Sequence, residues 1–142
     1  MGRYRKRTRQ YAPPLAKPES PRVSASQRAA VGAICRKRRM HEAEVLRYGL
    51  DAVILAVSNG KFALQWLSHN EMYHEGLNIR LSRDVRPLLD KLGERPHRPT
   101  RNQVLRACID TMILKEQKHG FAWLLTLREK FISRRHAARA GR

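Results

Sequence analysis

Apolar and polar residues alternate along residues 76–82, where Leu77, Ile79 and Leu81 are separated by Asn78 and Arg80. A period of two predicts a half-buried strand, with one face in a core and the other turned outward. The period then lengthens. Val85, Leu88, Leu89 and Leu92 recur at helical spacing behind Ser82, which stands as an N-cap with Asp84 in the first turn. Gly93 and residues 96–99, bounded by prolines, end that helix. Thr100 offers a second N-cap, and Val104, Leu105, Cys108, Ile109, Met112 and Ile113 form the broad apolar stripe of a buried second helix. A lone strand leaves its backbone groups unsatisfied, so this unit requires a partner strand and a shared core.

The partner is found by sliding the chain along itself. VLRYGLDAVIL, from Val45, aligns without gaps with VLRACIDTMIL, from Val104, and the same step places Phe62 and Ala63 on Phe121 and Ala122. In that register Val23, Ala25 and Ser26 answer to Ile79, Leu81 and Ser82, given a shorter connection before the second helix of the first copy. RVSAS is therefore predicted as a first strand, with Arg22 and Ser24 outward where the second copy carries Asn78 and Arg80. A helix over 27–38 follows, with Ala30, Val31, Ile34 and Cys35 inward, and another over 42–57. Each copy continues into an apolar segment read as a helix: 61–73, with Phe62, Leu64, Trp66 and Leu67, and 121–132, with Trp123, Leu124, Leu125, Leu127, Phe131 and Ile132. These complete the core, or the last one presents Trp123 and Phe131 for self-association or a protein partner. Arg47 with Asp51, and Arg106 with Asp110, recur one turn apart as structural ion pairs worth about 0.2–0.5 kcal/mol each.

The strand, the Ser-x-Asp-Val start, the breaker and the Thr-Arg-Asn opening resemble the ribbon-helix-helix DNA-binding proteins of the Arc/MetJ superfamily. Pro87 departs from that pattern, because beyond the first turn of a helix begun at Ser82 it would forfeit a hydrogen bond. The resemblance implies a ribbon lying in the DNA major groove. It puts Arg22, Ser24, Asn78 and Arg80 on the base-reading face. It also sets Arg36, Lys37, Arg38, Arg39 and His41 in the first copy, and Arg98, Thr100, Arg101 and Asn102 in the second, against phosphates. Met40 and His41 stand where the family has Ser or Thr, so the first clamp is expected to be weaker. The expected fold is mainly α with a short two-stranded antiparallel β-ribbon, a tandem ribbon-helix-helix with an additional helix after each repeat. Its parts are a basic disordered arm at 1–20, repeats at 21–60 and 76–119, a connecting helix at 61–75, and a C-terminal helix and basic tail at 120–142.

Charge narrows the class of partner. The 142 residues carry a formal net charge of +18, far outside ordinary globular balance, which points to a polyanion. Arg3, Arg5, Lys6, Arg7 and Arg9 crowd the N-terminus, and prolines follow at 13, 14, 18 and 21, which reads as an unstructured arm along a nucleic-acid backbone or a solubilising terminus. The polyanion is either a nucleic acid or an anionic membrane surface; no run of about 20 apolar residues is present, which excludes a transmembrane helix, and the partner expected is double-stranded DNA, with no membrane. Cys35 and Cys108 read as small core residues with reduced thiols, which fits a cytoplasmic location on bacterial nucleoid or plasmid DNA. His69, Glu71, His74 and Glu75 lack the spacing of a metal-binding helix, and no catalytic or cofactor-binding motif appears. The function expected is that of a non-enzymatic, sequence-specific double-stranded DNA-binding regulator of a plasmid or other mobile element, with scope for self-association on adjacent sites and for contact with transcription or conjugation machinery. The alternatives are a relaxosome-type accessory protein at a transfer origin and, from another class, a ribosome-associated or RNA-binding structural protein. RNA's deep, narrow major groove does not admit a ribbon, which counts against the last.

Overall fold

The computed structural model describes residues 14–140. Within them the chain is mainly helical, with five helices and one two-stranded antiparallel sheet. β1 (Arg22–Val23) pairs with β2 (Glu75–Gly76), Arg22 opposite Gly76, and further bridges join Glu19 to Ile79 and Leu15 to Ser82. The ribbon thus extends from residue 15 to 23 on one side and from 75 to 82 on the other. Glu19 N–H donates to the Ile79 carbonyl at 2.7 Å, and Ile79 N–H returns the bond at 2.8 Å. Residues 14–20, expected in the disordered arm, are ribbon instead. Pro18 and Pro21 argue against a strand, but Pro18 lies where the backbone turns to the open outer edge, so that its missing N–H costs no ladder bond, and Pro21 gives up one bond of its pair while its carbonyl still accepts from Leu77 N–H at 3.2 Å. The basic cluster Arg3, Arg5, Lys6, Arg7 and Arg9 lies outside the described residues.

RVSAS contributes only Arg22 and Val23 to the strand, because a cap competes for the rest. Ser24 Oγ accepts from Gln27 N–H at 3.1 Å, and the Gln27 side chain accepts from Ser24 N–H at 2.9 Å. This reciprocal box satisfies two otherwise orphaned donors and starts α1 (Ala25–Arg38) at once. After the left-handed Arg39, α2 (Glu42–Ser58) begins, and it is buried on nearly all sides from Val45 to Ala56. A helix apolar all round belongs in the middle of a core, and α1, α3, α4 and α5 all pack against α2. α3 (Arg86–Leu92) starts later than the Ser82 cap predicted. Pro87 then falls in the first turn, where its missing N–H is no loss. α4 (Arg101–His119) opens on Thr100, with Gln103 completing a capping box as at Ser24. Gly120, at φ 90°, allows the chain to turn into α5 (Phe121–Ala140).

The connecting helix expected over 61–75 does not form; residues 61–74 run without helix. Phe62, Leu64 and Trp66 face the core while Ala63, Gln65 and Leu67 are exposed, a period of two that no helix presents on one face. The segment runs antiparallel along α4: Lys115 Nζ lies 4.5 Å over the Phe62 ring, Gln65 N–H donates to Thr111 at 2.8 Å, and Arg106 lies 3.9 Å over Tyr73. α5 plays the matching part on the other side, packing chiefly on α2. The extension after each copy therefore covers the second helix of the other. Phe131 is buried, and Trp123 stacks on His119 at 4.0 Å and on Phe62 at 6.3 Å, which assigns both rings to packing.

Candidate nucleic-acid interface

Alternation divides the ribbon into two faces. Pro21, Val23, Leu77, Ile79 and Leu81 are buried beneath it, while Ser20, Arg22, Asn78 and Arg80 are exposed. Ser20 Oγ donates to Asn78 Oδ1 at 3.3 Å, so these two residues meet across the ribbon. Arg22 and Arg80 flank them on opposite strands. Ser24, expected beside Arg22 on the outward face, is fully buried as the α1 cap. The polar row is therefore Ser20, Arg22, Asn78 and Arg80, and the residue missed was Ser20. The signal lay in Ser24, which ends its strand as Ser82 ends the other; counting back from that match puts Ser20 on Asn78 and Arg22 on Arg80.

Four arginine bonds repeat this relation. Arg22 Nη1 donates to the His74 carbonyl and Arg80 Nε to the Ala16 carbonyl, each at 3.1 Å. Arg106 on α4 donates to the Arg22 carbonyl at 3.1 Å, and Arg47 on α2 to the Arg80 carbonyl at 3.2 Å. Arg47 and Arg106 thus anchor the ribbon from below. The one-turn ion pairs expected with Asp51 and Asp110 are replaced by longer-range partners. Asp51 accepts from Arg128 Nε at 2.9 Å, from the Ser82 hydroxyl at 2.6 Å and from Ser82 N–H at 3.1 Å. Asp110 meets His69 Nε2 at 2.8 Å and accepts from Gln27 Nε2 at 3.0 Å. Burial pushes the Asp51 carboxyl up from its ordinary value of 3.8, while the Ser82 bonds and Arg128 pull it back.

The starts of α2 and α4 both reach the ribbon. Arg28 ties Glu42, at 3.7 Å, to Glu75 and to the Gly76 carbonyl. On the other side Glu19 pairs with Arg86 at 3.3 Å and with Arg101 at 3.5 Å, and Arg101 also holds Asp90. The two helix starts differ in charge: α2 carries Glu42 and Glu44 in its first turn, and α4 carries no acid there. Arg98, Thr100 and Asn102 are exposed, Arg98 at φ 46°. His41 is exposed, its N–H bonded to Glu44.

The run from Arg36 to Arg39 is exposed but not uniformly available. Lys37 pairs with Glu116 at 2.6 Å, near the C-terminal end of α4, and Arg38 lies 5.9 Å over Phe121, just past that helix. Ten residues of helix, about 15 Å, separate Glu116 from Arg106 beneath the ribbon. Two of the four expected phosphate ligands thus have partners within the fold, while all four, Arg36 and Arg39 included, are exposed. Cys108 is fully buried, which pushes its thiol up to about 12. Cys35 is half-buried, and its thiol is also raised, mainly by burial. Comparison with protein-family models, curated proteins and solved structures finds no match to this chain.

Proposed function

We propose that this protein binds double-stranded DNA sequence-specifically, laying the exposed face of its ribbon in the major groove, and acts as a regulator on mobile or plasmid DNA. The observation that carries this reading is the ribbon itself: a polar row of Ser20, Arg22, Asn78 and Arg80 on one face, with Val23, Leu77, Ile79 and Leu81 buried under the other, in a chain of net charge +18. Side chains of these types recognise base edges, Asn pairing with adenine and Arg with guanine. A two-stranded ribbon is among the elements that the major groove admits. The exposed cations Arg36, Arg39 and Arg98, with the acid-free start of α4, supply contacts suited to the phosphate backbone. Because Pro18, Ser20 and Arg22 lie opposite Arg80, Asn78 and Gly76 in that order, the two strands differ, and the preferred site is asymmetric. Selection of bound sequences from random duplex DNA tests the reading. A defined, non-palindromic motif is expected, and recovery of no motif overturns it in favour of a structural or RNA-binding role.

A further inference from the structure

Where the segment 61–74 runs along α4, Trp66, His69, Tyr73, His97 and Arg106 wall an open cleft of about 430 Å³. Sites for small ligands span roughly 300–1,000 Å³, so the space is sufficient for a nucleotide-sized molecule. Four of these five side chains carry aromatic rings. His97 meets the Trp66 indole edge-on, with centroids 5.6 Å apart, and His69 meets Tyr73 in the same manner at 6.4 Å. Cations flank the rings on both sides: the Arg95 guanidinium lies 5.2 Å over Trp66, and that of Arg106 lies 3.9 Å over Tyr73. The acid nearest the rings, Asp110, is already engaged by His69 and Gln27. The Trp66 indole N–H is buried and unpartnered among the described residues.

Ring faces and edges favour a planar π-system, and a guanidinium over each of two of the rings favours an anion at its end. We infer that the cleft binds a nucleotide, its base against Trp66, Tyr73 and His97 and its phosphate towards Arg95 and Arg106. The same chemistry is offered by a free mononucleotide and by an unpaired nucleotide of a single strand, whose bases stack on aromatic side chains. The inference stands on this cleft and not on the ribbon, so either can fail without the other.

Replacing Trp123 with Phe leaves Trp66 as the sole tryptophan and its fluorescence as the readout, once circular dichroism verifies that the fold is retained. Adenosine 5′-monophosphate, thymidine 5′-monophosphate and a short oligothymidylate are titrated, with ribose 5-phosphate and inorganic phosphate as controls. Saturable quenching by nucleotides but not by the controls is expected. Tighter binding of the oligonucleotide than of the mononucleotides assigns the cleft to a single strand, and the reverse assigns it to a free nucleotide. In that background His97→Ala and Arg95→Ala, at exposed rim positions, should each weaken binding roughly fivefold or more, given the strength of base stacking on aromatic side chains and of charge-assisted contacts. Absence of saturation below about 10 mM, equal quenching by inorganic phosphate, or unchanged affinity in both rim variants overturns the inference.

Discussion

Asp51 on α2 and Asp110 on α4 hold matching places in the two halves of the chain, and each is buried beneath one end of the ribbon. Asp51 takes three donors, two from Ser82 and one from Arg128. Asp110 takes Gln27 and His69, and Gln27 in turn caps Ser24. The step that carries Asp51 to Asp110 also carries His69 to Arg128, so the partner comes from the same place in each extension. One extension is a helix and the other is not. The difference in capping traces to one position: the residue answering to Gln27 in the second half is Val85, which has no side-chain amide. Without a box at Ser82, Asp51 bonds Ser82 directly, and α3 waits until Arg86 to begin. A repeat can therefore keep a buried acid and its partner while the secondary structure around them changes, provided that each polar group still finds a partner.

The largest effect is expected at the stronger of the two pairs. Arg128→Ala leaves the fully buried Asp51 without its cation and should cost about 3–5 kcal/mol in urea unfolding. His69→Ala should cost about 1–3 kcal/mol, since Asp110 keeps Gln27 as a donor. Equal losses would erase the distinction. The pH dependence sharpens it. With its folded pKa raised, Asp51 favours the folded state in acid, and this contribution is lost as pH climbs from the ordinary 3.8 through the raised value. A protonated Asp51 needs no cation, so the deficit of Arg128→Ala should shrink in acid. A deficit constant with pH would place its cost in lost packing.

Next in size is the seam between α2 and its neighbours. A Cβ on Gly49 would stand 2.2 Å from Met112 Sδ and 3.2 Å from Phe121, whereas the matching position on α4 holds Cys108. Met112 can swing aside but the Phe121 ring has less room, and Gly49→Ala should cost about 1–3 kcal/mol by overpacking. Retained or increased stability would mean that α5 does not press on α2 as described.

The smallest effect separates the helix starts. Arg98→Ala should weaken binding to all duplex DNA alike and flatten the plot of log affinity against log salt by about 0.9, the value for one phosphate contact. His41→Ala, beside Glu42 and Glu44, should leave that slope unchanged. Equal slopes in both variants would make the charge difference irrelevant to binding.

Much of this architecture was legible in the sequence. The gapless match of residues 45–55 with 104–114 located α2 and α4, and alternation around Ile79 identified the second strand and its buried side. The first strand was harder because its prolines hide it, and because Ser24 and Ser26 are both plausible caps. Gln27, three residues after Ser24, is the discriminating signal, and reading it moves the outward row from Ser24 to Ser20. The apolar residues of 61–73 suggest a helix like the one that follows the second copy, but the alternation of Phe62, Leu64 and Trp66 is the signal of the extended chain that forms. The partners of Lys37, Arg38 and Arg128 depend on long-range packing, which no local pattern encodes.

The central claim is that a ribbon built within one chain reads base edges through Arg22 on one strand and Arg80 on the other. On a selected duplex site with each base pair substituted in turn, Arg22→Ala and Arg80→Ala should each lose about 1–3 kcal/mol of discrimination, at different positions on opposite sides of the site's centre. Non-specific affinity should hold apart from a charge effect common to both, and stability should fall by only about 0.5–1.5 kcal/mol for the lost bonds to the His74 and Ala16 carbonyls. If both variants lower affinity for every sequence equally, with the pattern of base preference intact, the ribbon does not read DNA and the claim fails.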